Sequence, residues 1–496
     1  MGEIVNPVRL STGIAGLDYI LKGGLPKNRL YLLEGNPGTG KTTLGVKFLL
    51  EGLKNDETCL YVTLSESREE LEAAASSHGL SLDGINIQDL TVSGDSLTDS
   101  SRYTVFHPSE VELDESTRAI IAEVERLKPV RVVFDSLSEM RMLASDPLRF
   151  RRQVLALKQY FIGRHCTVIL LDDRTSDIPD RQLESIAHGV IRLEYVASEY
   201  GKQRHILRVV KMRGVNFQSG SHDFNIETGG IVVFPRLSST GDKSANQGAL
   251  LSQSENLDQL VGGLNYGTST IMLGPAGVGK STLSMMYIYA AAQRGERSAV
   301  YLFDEGIETL YLRTAAVGLD IRRFVDEGLI VLRQIQLAEL TPGELSHMIS
   351  VEVETMGARV VVIDSVNGYL LATPQEKFLT MQFHELLGYL NHKGVVSIMV
   401  VGQYGLVGAM QTPIDISYLA DTVIMMRYFE AEGSVRQAIS VLKKRASKHE
   451  RTIREYRIDQ GGIILGDPLN EFQGVLTGVP IFKGAEAQLM NRRDEK

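Results

Sequence analysis

The 496-residue sequence predicts an α/β protein built from two similar domains, each a mainly parallel sheet covered by helices on both faces. The glycine-rich pattern Gly-x-x-x-x-Gly-Lys-Ser/Thr occurs at 35–42 and again at 274–281. Its two lysines lie 280 − 41 = 239 positions apart, about the length of one large domain. In each half, fully apolar runs alternate with helix-like segments, which is typical of parallel sheets buried on both faces.

The glycine-rich loops stand in the same local order in both halves. Apolar strands are predicted at 30–34 and 270–273, and each leads directly into a loop. Helices are predicted immediately after the loops, at 42–50 and 282–291. A strand, a loop and a helix in this order are the context in which the pattern binds phosphate, so a chance pair of turns is disfavoured.

Later strands of each half end in carboxylates. Residues 61–64 precede Glu66, and residues 299–303 precede Asp304 and Glu305. Two further apolar strands end in Asp135 and Asp364. Because ligands of such sheets bind at the carboxyl ends of the strands, we expect these side chains beside the loops.

The domain boundaries follow from composition. Residues 238–248 contain no apolar residue larger than alanine, and we assign 238–250 as a linker. The predicted domains are therefore 1–237 and 251–480, and 481–496 are a short charged tail.

Bulk properties exclude some functions. A net charge of −9 disfavours a protein that grips nucleic acid over a broad surface, since such proteins are usually basic. The N-terminus lacks an apolar signal core, and no apolar run approaches the ~18 residues of a membrane helix. We expect a cytoplasmic protein without membrane attachment.

The loops predict ATP and Mg²⁺ as cofactors. Their backbone N–H groups can surround phosphate oxygens at a helix N-terminus. Lys41 and Lys280 are expected on the β- and γ-phosphates, with the hydroxyls of Thr42 and Ser281 on Mg²⁺. The predicted loop residues that bind ATP are Gly38, Thr39, Gly40, Lys41, Thr42, Thr43, Gly277, Val278, Gly279, Lys280, Ser281 and Thr282.

The carboxylates suggest two roles. Asp135 and Asp364 are expected to hold Mg²⁺ through water, the alternative being aspartates that cap the next helix. Glu66, Asp304 and Glu305 are candidates for the general base that activates the attacking water. The alternative for these three is a solvated acidic loop.

Each half also carries a late pair of basic residues. Alternation along a strand places Lys211 with Arg213, and Lys443 with Arg445, on one strand face. They could stabilise phosphate charge, including that in a neighbouring subunit's site. An ordinary solvated edge strand is the alternative.

Together these residues resemble the KaiC family of RecA-like ATPases, from 10–18 to 476–480. The resemblance implies tandem RecA-like P-loop domains that form two-tiered homohexameric rings with ATP between adjacent subunits. It implies that both basic pairs reach a neighbour's phosphates and are part of the ATP site. It also implies slow hydrolysis in the first domain. In the second domain it implies Ser/Thr autokinase and autophosphatase activity.

The sequence departs from the family pattern in two places. Ser65 precedes Glu66 where the family has paired glutamates, which puts the first domain's hydrolysis rate in question. Ser417 matches the family's phosphoacceptor serine, but Tyr418 replaces the adjacent threonine. We therefore expect phosphorylation at Ser417 alone, the alternative being a merely interfacial serine.

Partners and rival functions remain expectations. The short tail predicts no KaiA-type activator, and a KaiB-like or other signalling partner stays open. A RecA-like DNA-handling ATPase is one rival function, and the acidic charge without a basic loop weighs against it. A nucleotide-gated scaffold without turnover is the other, motivated by Ser65.

Overall fold

The structure is a computed structural model. It describes residues 7–91, 108–144, 146–174, 181–196, 202–238, 248–336, 339–371, 376–405, 418–477 and 481–482. The chain divides into two compact units, Met1–Arg236 and Leu237–Lys496.

The first unit alternates strands and helices. Its described strands are β1 (Arg9–Leu10), β2 (Leu25–Pro26), β3 (Leu30–Gly35), β4 (Cys59–Thr63), β5 (Asn86–Asp89), β6 (Arg131–Asp135), β7 (Thr167–Asp173), β8 (Gly189–Val196), β9 (Arg204–Met212), β10 (Ser221–Glu227) and β11 (Gly230–Phe234). Its described helices are α1 (Ala15–Ile20), α2 (Lys41–Lys54), α3 (Arg68–Ser77), α4 (Pro108–Leu127), α5 (Leu137–Ala144), α6 (Pro147–Gly163) and α7 (Arg181–Ile186).

The second unit repeats this succession. Its described strands are β12 (Ala249–Leu250), β13 (Leu264–Asn265), β14 (Ser269–Gly274), β15 (Ser298–Leu302), β16 (Ile330–Gln334), β17 (Val360–Asp364), β18 (Val396–Gly402), β19 (Thr422–Ala431), β20 (Ser434–Lys444), β21 (Ile453–Asp459), β22 (Gly462–Pro468), β23 (Phe472–Gln473) and β24 (Ile481–Phe482). Its described helices are α8 (Glu255–Val261), α9 (Lys280–Gln293), α10 (Ile307–Ala316), α11 (Arg322–Asp326), α12 (Pro342–Thr355), α13 (Val366–Leu371) and α14 (Glu376–His392), and a 3₁₀ turn covers Val475–Thr477.

The main sheets of the two units have equivalent strand orders. Among the described residues each sheet has nine strands, in the orders β11-β10-β9-β8-β3-β7-β6-β4-β5 and β22-β21-β20-β19-β14-β18-β17-β15-β16. The strands from β8 to β5, and from β19 to β16, run parallel. The other three strands of each sheet, β9 to β11 and β20 to β22, are added in antiparallel pairs. The predicted tandem, mainly parallel α/β fold of the RecA-like type is confirmed.

Burial on both faces explains why the central strands are apolar throughout. On β3, Leu30 and Leu32 belong to one hydrophobic cluster, whereas Tyr31 and Leu33 belong to another. Successive side chains of a strand point to opposite faces, so the two clusters lie on the two sides of the sheet. The loop that follows β3 is thereby fixed at the edge of a rigid layer.

Two sequence boundaries need correction. The predicted linker 238–250 includes Ala249 and Leu250, but these residues form β12 and pair with β13, and Leu250 is fully buried. The predicted tail includes Ile481 and Phe482, which pair with β23 as β24. Leu250 is held by burial, whereas Ile481 and Phe482 are exposed and the ring of Phe482 lies 5.1 Å from that of Phe472.

No described helix is both long and apolar enough to cross a bilayer.

Candidate functional site

In both glycine-rich loops, the last glycine has a left-handed backbone conformation, which residues with a side chain rarely adopt. Gly40 and Gly279 have φ values of 89° and 100° and stand immediately before α2 and α9. A Cβ on Gly40 would lie 2.8 Å from Cδ1 of Ile226. Glycine is therefore required for both conformation and space, and it directs the first N–H groups of each helix into the loop.

The loop lysines turn back onto their own loops. Nζ of Lys41 donates to the carbonyl oxygens of Gly35 and Asn36, both at 3.0 Å, and lies 2.7 Å from Oδ1 of Asp173. Nζ of Lys280 donates to the carbonyl oxygens of Gly274 and Pro275 at 2.9 and 2.6 Å. Burial lowers the pKa of Lys280 to about 8.

The remaining loop side chains divide into buried and accessible groups. Thr39 and Val278 are buried, so they can offer only backbone N–H groups to a ligand. Gly38 and Gly277 are exposed at the loop tips, and Thr43 is half-buried on α2. The predicted loop residues thus lie around one concave turn in each unit.

A hydroxyl and a carboxylate meet beside each loop. Thr42 Oγ1 donates to Asp135 Oδ2 at 3.2 Å, and Tyr61 donates to the same oxygen at 2.5 Å. Ser281 makes the corresponding hydrogen bond to Asp364. Burial raises the pKa of Asp135 and of Asp364 above its usual range, and these hydrogen bonds partly offset the rise.

This donor set fits Mg²⁺. The ion prefers oxygen ligands and usually takes one or two carboxylates together with substrate phosphates and water. Among the described residues, no three or more histidine, cysteine or acidic side chains are arranged to hold a metal ion by themselves, so neither pair resembles a metal site formed by protein alone. Thr42 with Asp135, and Ser281 with Asp364, are suited to share Mg²⁺ with a bound phosphate.

In the first unit, the candidate base has an available oxygen. Glu66 is half-buried, and its Oε2 is buried without a hydrogen-bond partner among the described residues. Burial raises the pKa of Glu66, and the nearby carboxylates of Asp135, Glu70 and Asp173 raise it further. A carboxylate with a raised pKa beside the loop can accept a proton from water.

In the second unit, both candidate carboxylates are engaged. Asp304 is exposed, and its Oδ2 accepts a hydrogen bond from Ser365 at 2.5 Å. Glu305 accepts two bonds from Arg313, at 3.1 Å from Nε and 2.9 Å from Nη2. Arg313 also donates from Nη1 to Thr282 Oγ1 at 3.2 Å.

Three side chains at these sites were missed in the sequence, namely Tyr61, Asp173 and Arg313. Asp173 carries the signal that identified Asp135, since it ends an apolar strand at the loop edge. In the sheet register it pairs with Gly35, and Gly402 pairs with Gly274 at the equivalent position. Tyr61 and Arg313 lie inside regular elements, where no local pattern marks them.

Within each unit, the basic pair lies toward the end of the sheet opposite the glycine-rich loop. Lys211 donates to the carbonyl oxygens of Glu184 and Ala187, the latter at 2.9 Å. Arg213 donates to the carbonyl oxygen of Ser185 at 2.7 Å. Lys211 is opposite Val190 on β8, which pairs with Leu32 of β3, and Arg213 bonds to His188 beside Leu30 at the start of β3, whereas the loop follows the end of β3.

The second unit repeats this placement. Lys443 donates to the carbonyl oxygen of Ala420 at 2.7 Å, and Arg445 lies 3.8 Å from Asp421. Lys211 and Lys443 lie on β9 and β20, whereas Arg213 and Arg445 stand just beyond those strands, so the predicted shared strand face includes only the lysines.

A family model described as "ATPase: KaiC" matches residues 10–238 and again 252–470, which is one match for each repeat. The chain belongs to the KaiC ATPase family.

Curated relatives carry the KaiC name over nearly their full length. The circadian clock protein KaiC3 of Synechocystis sp. is 26% identical over 485 residues, which cover 96% of this chain and 95% of that protein. The circadian clock oscillator protein KaiC of Picosynechococcus sp. is 26% identical over 97% of this chain and 93% of its own length. KaiC of Parathermosynechococcus lividus is also 26% identical, with coverages of 97% and 89%.

Two further cations, Lys158 and Arg29, lie near Lys211 and Arg213. Lys158 donates to the carbonyl oxygen of Ile186 at 2.7 Å, and Arg29 to that of Arg213 at 2.6 Å. Within the described ranges, none of these four cations forms an ion pair with a carboxylate. Burial, followed by repulsion from Arg213 and Lys158, lowers the pKa of Lys211.

Ser417 lies outside the described residues, and its neighbour Tyr418 is 55% exposed. Phosphorylation at Ser417 stays a prediction from the sequence.

Proposed function

We propose that this KaiC-family protein is an Mg²⁺-dependent ATPase that works as a double-ring homohexamer. Each nucleotide lies between the glycine-rich loop of one subunit and the basic pair of the next. The observation that carries this proposal is the position of Lys211 and Arg213 at the sheet edge opposite their own loop.

Distance excludes these cations from their own nucleotide site. Through Val190, Lys211 is level with Leu32, whereas Arg213 bonds to His188, which bonds to Leu30. From Leu32 and from Leu30 to Gly35, β3 advances three and five residues, or about 10 and 17 Å at the usual rise of a strand. The side chain of Lys211 also bonds to the carbonyl oxygens of Glu184 and Ala187, which precede β8 and lie away from the loop. Neither cation is therefore close to phosphate bound beyond the end of β3. A second copy of the chain can bring that phosphate to them.

Charge supports the same assignment. Arg29, Lys158, Lys211 and Arg213 form a cluster of cations that donate to backbone carbonyl groups. Burial lowers the pKa of the adjacent His188 to about 4, with contributions from Lys158 and Arg29. A triphosphate from a neighbour would relieve the repulsion within this cluster.

The first unit has the groups that hydrolysis needs. Lys41 and the loop N–H groups orient the triphosphate, and Thr42 with Asp135 would hold Mg²⁺, which neutralises phosphate charge when bound. Glu66 accepts the proton of the attacking water through its free Oε2. Lys211 and Arg213 of the next subunit stabilise the charge that develops on the transferred phosphoryl group.

Phosphate release tests the hydrolytic assignment. We expect two nucleotides bound per chain and steady release of phosphate from ATP. Glu66→Gln should abolish most of the release, whereas a variant with Asp304→Asn and Glu305→Gln should keep it. If only the variant with Asp304→Asn and Glu305→Gln loses phosphate release, ATP hydrolysis belongs to the ring formed by the second units.

Autophosphorylation at Ser417 is the second part of the proposal, and it rests on the matching serine and on the family. Incubation with ATP and Mg²⁺ followed by intact-mass measurement should give a single phosphate adduct. Ser417→Ala should remove the adduct, whereas Tyr418→Phe should keep it. An adduct that survives Ser417→Ala would contradict this assignment.

A further inference from the structure

Arg313 connects Glu305, one of the two candidate bases of the second unit, to the loop helix. Its guanidinium donates from Nε and Nη2 to the two carboxylate oxygens of Glu305, at 3.1 and 2.9 Å. Its third nitrogen, Nη1, donates to Thr282 Oγ1 at 3.2 Å. Thr282 follows Ser281, one of the residues suited to hold Mg²⁺, so this arginine is at the nucleotide site.

At the equivalent helix position, the first unit has an alanine in place of this arginine. Helices α3 and α10 are equivalent and begin after Ser67 and Gly306, respectively. Arg313 is 313 − 306 = 7 residues beyond its cap, and the first-unit residue at the same distance, 74 − 67 = 7, is Ala74. Ala74 is exposed, and Glu66 has the unpaired Oε2 described above.

The chemical consequence follows from how a bidentate pair uses a carboxylate. Arginine in this geometry engages one lone pair on each of the two oxygens and fixes the plane of the group. A general base must instead direct a free lone pair at the water. Glu305 is therefore restrained where Glu66 is free.

We propose that Arg313 is a positioning residue that holds Glu305 against the loop helix and so keeps ATP hydrolysis in the second unit slow. This inference rests on the proposed ATPase function and deepens it. Slow hydrolysis keeps ATP intact for longer, which suits a site that gives its phosphate to a protein hydroxyl.

The test measures hydrolysis by the second unit in full-length protein that carries Glu66→Gln. Adding Arg313→Ala should raise kcat about three- to tenfold, the effect of removing a charge-assisted hydrogen bond, with little change in KM. The kcat of Arg313→Lys should lie between those of the parent and Arg313→Ala, because an ammonium group keeps the charge but lacks the planar arrangement of donors. Arg323→Ala removes an exposed arginine paired with Glu327 in the same unit and should change nothing.

The reciprocal experiment introduces the contact into the first unit. Ala74→Arg, in protein that carries Asp304→Asn and Glu305→Gln, should lower phosphate release by a similar factor, because the new guanidinium can engage Glu66. Ala74→Gln is the neutral control and should keep most of the activity. This arm remains informative if Arg313→Ala does not fold.

The outcomes separate this inference from the function beneath it. A rise with Arg313→Ala, or a fall with Ala74→Arg alone, supports the restraint. If the parent hydrolyses ATP but Arg313→Ala leaves kcat unchanged or lowers it, the restraint is wrong and the ATPase proposal stands. If the unmodified protein hydrolyses no ATP, both proposals fail together.

Discussion

Among single residues, the clearest difference between the two nucleotide sites is the partner of the loop lysine. Lys41 forms an ion pair with Asp173, whereas Lys280 bonds to loop carbonyl groups and Gly402 stands where Asp173 would be. A carboxylate beside the lysine competes with the phosphate for the ammonium group, and its negative charge repels the phosphate. We therefore expect the first site to bind nucleotide less tightly than its loop would otherwise allow.

Asp173→Asn should tighten ATP binding at the first site about three- to tenfold, because one charge-assisted contact no longer competes. A fluorescent ATP analogue can be titrated into protein that carries Lys280→Ala, which confines tight binding to this site. Asp83→Asn, the same change at an exposed carboxylate, should leave the affinity unchanged. Weaker binding in Asp173→Asn would mean that this carboxylate helps to hold the nucleotide or its metal.

Lys280 gives a pH dependence at the second site. Burial lowers its pKa to about 8, so the free protein loses this ammonium charge as the pH rises above that value. Phosphate favours the charged form, and binding at pH 9 should therefore take up nearly one proton. Calorimetry in two buffers with different ionisation enthalpies, on protein that carries Lys41→Ala, measures this uptake. The same affinity and no proton uptake between pH 7 and 9 would contradict the assignment.

At the scale of elements, an ion-pair network links the loop strand to the helix that the basic pair contacts. Arg192 on β8 donates from Nε to Glu34 on β3 at 2.6 Å and from Nη2 to Glu184 on α7 at 2.9 Å. Glu34 is buried, and burial raises its pKa while Arg192 partly offsets the rise. The second unit has Leu273 and Met425 at the register positions of Glu34 and Arg192.

The second unit thus shows an apolar pair, Leu273 and Met425, that can replace Glu34 and Arg192. Arg192→Met alone should lower the free energy of unfolding of the first unit by about 3–5 kcal/mol, since it leaves a buried carboxylate unpaired. Glu34→Leu combined with Arg192→Met should recover most of that loss. Urea denaturation followed by a probe in the first unit measures both. A double variant no more stable than Arg192→Met would show that the replacement does not pack here.

The sequence predicts these elements well where one pattern dominates. The strands that lead into the loops and end in Asp135 and Asp364 occur as expected, because apolar runs and glycine punctuation are local signals. Helix ends are less predictable. Helix α2 continues to Lys54, four residues past the predicted end, and Gly52 in the added turn is still buried.

Contacts between distant side chains could not be predicted. Arg313 reaches both Glu305 and Thr282 only because the fold brings this part of α10 to the start of α9, and no spacing in the sequence records that. The same holds for Tyr61 on Asp135. Motifs therefore located the sites, whereas tertiary contacts distinguish one site from the other.

For the whole molecule, the two units repeat one strand order and place one loop and one basic pair at opposite sheet edges. This arrangement leaves each loop without the cations that phosphoryl transfer requires from within its own unit. In the closed ring of identical subunits proposed above, each interface would supply the missing group. The central claim is therefore that a site is complete only with a neighbour.

Complementation between two inactive proteins tests that claim most directly. Both carry Asp304→Asn and Glu305→Gln, so that only the first unit turns over. One adds Lys41→Ala, and the other adds Lys211→Ala with Arg213→Ala. Each alone should release almost no phosphate, whereas rings from equal co-expression should regain about one quarter of the parent rate, the share of interfaces with both parts intact. Mixed rings as inactive as the separate proteins would contradict the account.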